Sequence, residues 1–121
     1  NIFKRTFLFK KSLKISNMWV SINNYKDSNI EHSHPHSVLS GVYYVKVPKD
    51  GGLLKFIHPS LDVMSRDWGE TEKENYNNYN CEHWTFKPKE NILFLFPGWL
   101  RHSVLPHSSK TERVSLSFNL K

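Results

Sequence analysis

The chain has 121 residues, of which 38% are hydrophobic and 14% aromatic, enough to build one core of moderate size. This composition excludes a disordered chain, and no apolar run is long enough to span a bilayer. We therefore expect a single domain over residues 1–121 in the cytoplasm. Because the chain does not begin with Met, we expect a processed or truncated start.

Basic side chains crowd the N-terminal segment and contribute much of the formal net charge of +6. They are Lys4, Arg5, Lys10, Lys11 and Lys14. Because Phe3, Phe7 and Phe9 are interspersed with them, the pattern favours a strand with one solvated face over a nucleic-acid-binding arm. We expect neither a nucleic acid nor a membrane as a partner.

The rest of the sequence is a series of short apolar or alternating runs separated by turn residues. In chain order, strands are predicted over 18–22, 38–47, 53–57, 83–87 and 92–96, then from about 102, and over 113–120. The turn at 48–52 predicts that its flanking strands form a hairpin. Residues 60–82 are acidic and Asn-rich without a clear period, which indicates a long surface loop. Together these elements predict an all-β antiparallel sandwich or barrel.

Histidines are concentrated in the segment Glu31-His32-Ser33-His34-Pro35-His36. In a strand, residues i and i+2 point to the same face, so His32 and His34 would present two imidazoles together. With His102 brought in by the fold, they could hold a divalent transition metal. On spacing alone a polar loop is an equally good interpretation. The other histidines are treated as surface or hydrogen-bonded residues; they are His36, His58, His83 and His107.

Polar and apolar residues alternate strictly along the last predicted strand. One face carries Arg113, Ser115, Ser117 and Asn119, and the other carries Val114, Leu116, Phe118 and Leu120. If the polar face looks outward, this is an ordinary edge strand. If it looks into a barrel, Arg113 is a buried cation that requires an anionic ligand, with Ser115 as a second donor. Ser40 and Tyr44 share one face of another strand and could bind the same anion.

Four ordered blocks resemble the non-haem iron(II), 2-oxoglutarate-dependent oxygenases, and in particular a group found in marine bacteria and phages. The blocks are His32-x-His34-Pro35, Leu39-Ser40-Gly41-Val42-Tyr43-Tyr44-Val45, Phe96-Pro97-Gly98-Trp99-Leu100-x-His102-Ser103-Val104 and Glu112-Arg113-Val114-Ser115-Leu116-Ser117-Phe118-Asn119. The resemblance covers roughly residues 19–120. It implies a double-stranded β-helix, which is a cupin-like jelly-roll barrel, with iron at its open end.

The resemblance also implies roles for individual residues. His32 and His102 take the places of two iron ligands, and His34 stands where most members of the superfamily have Asp or Glu. Arg113 takes the place of the residue that pairs with the distal carboxylate of 2-oxoglutarate, and Tyr44 resembles a tyrosine directed at the same group. Ser115 and Ser40 are further candidate contacts to this carboxylate.

Two other ligand sets remain open for the metal. His34 and His102 could bind without His32, or Glu31 could supply a carboxylate. Because Glu31 is adjacent to His32, it should point to the opposite face of a strand.

The expected function is therefore hydroxylation of a small-molecule or peptide substrate with iron(II), 2-oxoglutarate and O2, releasing succinate and CO2. Aromatic residues in or beside the predicted loop could line the substrate entrance; they are Trp68, Tyr76, Tyr79 and Trp84. One alternative is a three-histidine cupin-type dioxygenase or isomerase that uses no 2-oxoglutarate. Another is a non-catalytic jelly-roll module that binds a metal or ligand. The chain could also form a homodimer.

Overall fold

The computed structural model describes the backbone of residues 2–121 and the side chains from residue 5 onward. Its strands are β1 (Ile15–Asn23), β2 (Asn29–His32), β3 (Leu39–Lys46), β4 (Leu54–Ile57), β5 (His83–Phe86), β6 (Leu93–Pro97), β7 (His102–Val104) and β8 (Arg113–Leu120). The first sheet has the order β1-β8-β3-β6 and the second β2-β7-β4-β5, with every pairing antiparallel. This interleaving of strands is a double-stranded β-helix, and it confirms the predicted all-β class.

The first sheet turns its polar face inward, toward the second sheet. In the pairing of β1 with β8, Asn23 lies opposite Arg113 and Ser21 opposite Ser115, and these residues line the internal cavity. The intervening apolar pairs, such as Val20 opposite Leu116, lie on the outer face. The polar face of the last strand therefore points into the barrel, which places the guanidinium of Arg113 inside. This orientation carries the desolvation cost of a buried charge.

The hydrophobic core lies between the sheets, beside this polar cavity. Leu54, Phe56 and Phe96 form its buried centre. Partly buried side chains pack around them; these are Val42, Trp84, Phe94, Leu100 and Val104. The core thus supports the inner face from which the polar residues project.

The predicted hairpin across residues 48–52 is wrong. β3 pairs with β8 on one side and with β6 on the other, so both of its edges are already occupied. β4 pairs instead with β5 and β7 in the second sheet. The turn therefore carries the chain from one sheet to the other.

Helices occupy two segments that were predicted otherwise. Helix α1 spans Ile2–Phe7, so the predicted strand with one solvated face is wrong, although the side chains of Phe3 and Lys4 lie outside the described residues. Helix α2 spans Leu61–Trp68 within the predicted loop and buries Met64 as its anchor, leaving 69–82 without helix or strand. In the described part of the chain, no helix is long and apolar enough to cross a membrane.

Candidate active site

Three histidines meet at one end of the barrel. His32 is the last residue of β2 and His102 the first residue of β7, and the two are paired across the strands. His34 lies in the turn that follows β2. One ring nitrogen from each histidine lies within 4.8 Å of those of the other two.

His34 reaches this cluster by a route other than the one its spacing predicts. Because β2 ends at His32, the two histidines do not share a strand face. The backbone N–H of His34 instead donates to the carbonyl of Gly98 at 2.8 Å, and Ser37 N–H donates to the carbonyl of His34 at 3.2 Å. A Cβ at Gly98 would collide with the Ser37 carbonyl oxygen, so only glycine allows this close approach.

Backbone carbonyls fix the tautomers of two of the histidines. The Nδ1 of His32 lies 2.7 Å from the carbonyl oxygen of Ile30, and the Nδ1 of His102 lies 2.9 Å from that of Leu100. Since a carbonyl oxygen only accepts, each Nδ1 carries the proton and each Nε2 keeps its lone pair. These are the tautomers of imidazoles that bind a metal through Nε2.

Burial keeps His34 and His102 of this cluster neutral. It lowers the pKa of His102 to about 4; the hydrogen bond to Leu100 opposes this shift, while the charges of His32 and His34 add to it. The pKa of His34 is also lowered, first by burial and then by His32. At neutral pH the rings of His34 and His102 are therefore unprotonated, which is the form that a metal ion requires.

The donor set fits a divalent transition metal. The Nε2 atoms of His34 and His102 lie 3.2 Å apart, and two nitrogens bound to one ion through bonds of about 2.1 Å would lie about 3.0–3.4 Å apart. Glu31 lies outside the cluster, because its carboxylate faces Arg101 at 3.4 Å on the exposed rim. Among the described residues, the side chains that come together as a candidate metal site are those of the three histidines.

Arg113, at the start of β8, is a buried cation. It is 2% exposed, its Nη1 donates to the carbonyl of Gly52 and its Nη2 to Oδ1 of Asn23, both at 2.8 Å. Its Nε has no hydrogen-bond partner, and among the described residues no carboxylate forms an ion pair with it. Burial lowers the pKa of Arg113, and Tyr44 opposes this shift. A charge held in this way favours binding of an anion.

Tyr44 and Ser115 lie beside this cation, on neighbouring strands. Tyr44 is 1% exposed, and its ring centroid lies 5.8 Å from the guanidinium carbon. Burial raises the pKa of the phenol, while the charge of Arg113 opposes the shift, so the hydroxyl remains a donor. Ser115 is buried opposite Tyr44 in the register of β3 and β8.

Ser40 is also buried at the cavity, but its hydroxyl donates to Oδ1 of Asn119 at 2.7 Å. The proton that could serve a bound carboxylate is therefore already in use.

A single internal cavity connects the two halves of the site. The three histidines line it at one end, and Arg113 and Tyr44 line it at the other. The barrel thus presents a candidate metal centre and a buried cation to the same small ligand.

A family model described as "Putative 2OG-Fe(II) oxygenase" matches residues 17–119. The chain belongs to this oxygenase family. The match begins within β1 and ends one residue before the end of β8, so it covers both halves of the site. No curated protein sequence matches the chain significantly.

Solved structures show the same fold. An oxidoreductase of the 2OG-Fe(II) oxygenase family from Burkholderia pseudomallei aligns with 98% of this chain and 50% of its own, at 17% identity and a TM-score of 0.71. A Pseudomonas putida prolyl-4-hydroxylase aligns with 99% of this chain and 58% of its own, at 19% identity and a TM-score of 0.63. This chain therefore spans between half and three-fifths of the length of these two relatives.

A cupin domain from Bordetella pertussis is closer to this chain in length. It aligns with 91% of this chain and 92% of its own, at 15% identity and a TM-score of 0.52. The barrel of this oxygenase-family chain is therefore shared with cupins as well.

Several residues of the oxygenase-family site were missed in the sequence. Asn23 accepts a hydrogen bond from Arg113, Trp19 stacks on His34, and Phe96 packs edge-on against His102. The alternation along β1 carried a usable signal, because Trp19, Ser21 and Asn23 fall on the face opposite Met18, Val20 and Ile22. That signal becomes decisive only when the orientation of the sheet is known.

The aromatic residues predicted at a substrate entrance are dispersed. Tyr76 and Trp84 line an apolar groove of about 890 Å³ between β5 and β6, which also includes Phe86 and Phe94. Trp68 and Tyr79 do not line this groove, and Tyr79 is 87% exposed.

The remaining histidines lie outside the three-histidine cluster. Buried His107 uses Nε2 to donate to the carbonyl of Thr111 at 2.7 Å, and Nδ1 of His58 accepts a hydrogen bond from Ser60 N–H at 3.0 Å. His36 and His83 are exposed.

Proposed function

We propose that the protein is an iron(II)- and 2-oxoglutarate-dependent dioxygenase that hydroxylates a small-molecule or peptide substrate and releases succinate and CO2. The observation that carries this proposal is the shared cavity, which has three imidazoles at one end and, at the other, a buried guanidinium that pairs with no carboxylate of the described residues. A slender dicarboxylate with a 2-oxo acid group has the matching chemistry at both of its ends. Membership of the oxygenase family supports the same assignment.

Each residue has a defined task in this proposal. His32, His34 and His102 hold the metal, and iron bound there would supply the activation of O2 that is coupled to oxidation of 2-oxoglutarate. Arg113 binds the distal carboxylate through Nε–H and a free N–H of the guanidinium, since Gly52 and Asn23 engage other N–H groups. Tyr44 and Ser115 donate further hydrogen bonds to that carboxylate.

The third histidine changes the charge of the proposed centre. A neutral imidazole in place of a carboxylate leaves iron(II) with its full two positive charges before 2-oxoglutarate arrives. Dianionic 2-oxoglutarate then brings the complex to neutrality, so anion binding should be strengthened by His34 rather than weakened. When the anion is absent, a site with the neutral imidazole should bind the metal less tightly than a site with a carboxylate.

A second candidate function has its own supporting observations. The three-histidine set and the length-matched likeness to a cupin domain favour a cupin-type dioxygenase that needs no 2-oxoglutarate. In that case Arg113 would bind a carboxylate of the oxidised substrate. The two candidates differ in whether 2-oxoglutarate reaches the metal.

Spectroscopy under anaerobic conditions distinguishes them. Iron(II) is titrated into the protein, and 2-oxoglutarate is then added. A visible charge-transfer band, followed by succinate formation on admission of air, is the expected result. If iron binds but 2-oxoglutarate produces neither band nor succinate, the cupin-type candidate replaces the first.

A further inference from the structure

The three histidines are not held in the same way. His32 and His102 end or begin strands, and a backbone carbonyl fixes the Nδ1 of each. His34 lies in a turn, and its Nδ1 has no hydrogen-bond partner among the described residues. Some other contact must keep this ring in the plane that points Nε2 into the cluster.

Aromatic packing provides that contact. The indole of Trp19 stacks on one face of the His34 ring, with centroids 5.9 Å apart and planes 26° from parallel. His102 stacks on His34 with centroids 5.0 Å apart and planes 6° from parallel, and the edge of Phe96 lies at 6.5 Å. Trp19 therefore packs against a candidate ligand whose Nδ1 forms no hydrogen bond with any described residue.

Trp19 reaches His34 from the other sheet. It lies on β1, opposite Ser117 of β8, whereas His34 follows β2 of the second sheet. The indole lines the cavity yet is 37% exposed, so it stands at the rim between the candidate metal centre and solvent. A side chain in this position can both restrict rotation of the imidazole and keep water from its face.

We propose that Trp19 is a positioning residue for the third metal ligand: its indole fixes the plane of the His34 imidazole, where the other two histidines rely on backbone carbonyls. This inference rests on the proposed metal centre. Trp19 would act through His34 and not by touching the metal. Its contribution should therefore vanish when His34 is absent.

Cobalt(II) alone is a suitable probe, because its visible spectrum reports ligand geometry without any turnover. We would titrate it into the wild type, Trp19→Phe and Trp19→Leu, with Trp68→Leu as the matched control on helix α2. Trp19→Leu should weaken cobalt binding about three- to tenfold and alter the visible band, which corresponds to the worth of one aromatic pair. Trp19→Phe should recover most of the loss, and Trp68→Leu should match the wild type.

A double-mutant cycle tests the route of the effect. In a His34→Ala background, Trp19→Leu should leave the residual cobalt affinity unchanged. An equal loss with or without His34 would overturn the inference, as would a Trp19→Leu variant with the affinity and band of the wild type. Equal losses for Phe and Leu would overturn it too, because an aromatic ring at position 19 would then have no advantage over an aliphatic side chain.

Two further results keep the test decisive. If Trp19→Leu does not fold, as judged by circular dichroism, the same cycle is measured with Trp19→Phe, for which a coupling to His34 of about twofold is expected and none would contradict the proposal. If the wild type binds no cobalt, the proposed metal centre itself fails. If it binds and Trp19 proves irrelevant, only the role of Trp19 fails.

Discussion

At the scale of single residues, the site depends on which nitrogen of each ring carries a proton. The carbonyls of Ile30 and Leu100 hold His32 and His102 in the tautomer that leaves Nε2 free, and burial keeps His102 neutral with a pKa of about 4. These contacts are formed by backbone atoms, so no side-chain pattern in the sequence records them. The ends of the two strands therefore orient these candidate metal ligands, in addition to the choice of histidine itself.

Replacing His34 should affect iron binding, whereas replacing the nearby His36 should not. His34→Ala removes one of the three donor nitrogens and should weaken iron(II) binding by about 100-fold or more. His36→Ala is the matched control, since His36 is exposed and lies outside the cluster. Binding isotherms recorded anaerobically measure both, and equal affinities would remove His34 from the ligand set.

His34→Asp is a second probe of the same position. It supplies an anionic oxygen ligand in place of a neutral imidazole, so iron(II) affinity should be kept or raised. The added negative charge should at the same time weaken 2-oxoglutarate binding. A variant that lost iron as completely as His34→Ala would show that the turn cannot direct a shorter side chain at the metal.

At the scale of elements, the turn that carries His34 depends on the segment between β6 and β7. Gly98 accepts a hydrogen bond from His34 N–H and donates one to the carbonyl of Val38 at 3.2 Å. The two segments lie so close that a methyl group on Gly98 would meet the backbone of Ser37. Backbone packing across the barrel end thus sets the position of His34, the third candidate ligand.

Gly98→Ala should therefore disturb the metal site without changing any ligand. The backbone of the turn must move, which should cost about 1–3 kcal/mol of folding free energy and weaken metal binding. Gly51→Ala is the control, because its Cβ would lie 3.3 Å from the nearest atom, a side-chain methyl of Val47. Denaturant unfolding and cobalt titration measure the two effects, and a Gly98→Ala variant equal to Gly51→Ala in both would contradict this account.

The sequence predicted most strands because alternation and turn residues are local signals. It placed β8 and β3 well. Its motifs also grouped His32, His34, His102 and Arg113 as one site, and all four line the shared cavity. Strand partners are not local. The hairpin prediction across 48–52 failed because both edges of β3 are taken by strands far away in the chain.

Helix α2 was missed for a different reason. It has only eight residues, and a helical period this short does not stand out from the polar, acidic stretch around it. The stacking of Trp19 on His34 was missed because the spacing of residues along β1 does not show which residue of the other sheet lies against them.

At the scale of the whole molecule, the proposed ligands would connect the two sheets. His32 and His102 belong to the second sheet and Arg113 to the first, so a 2-oxoglutarate molecule bound at both ends would bridge them. A ligand that binds only the folded state stabilises it by an amount that grows with the logarithm of the ligand concentration, and this amount is about 2.7 kcal/mol at 100 times the Kd.

Thermal unfolding should consequently respond in two steps. Manganese(II), used as a redox-inert substitute, should raise the Tm, and 2-oxoglutarate should raise it further by several degrees only when the metal is present. In Arg113→Leu the first increment should persist and the second should largely disappear. If 2-oxoglutarate still raised the Tm of that variant by the full amount, its distal carboxylate would not be bound by Arg113.

Calorimetry of 2-oxoglutarate binding to manganese-loaded protein tests the central claim most directly. Arg113→Leu removes the cation that is proposed to bind the distal carboxylate, a loss on the order of 2–5 kcal/mol, so affinity should fall about 30-fold or more while the metal stays bound. Arg101→Leu is the control, because Arg101 pairs with Glu31 at the exposed rim. We expect the wild type and Arg101→Leu to bind 2-oxoglutarate equally well; a wild type that holds the metal but does not bind 2-oxoglutarate would contradict the account.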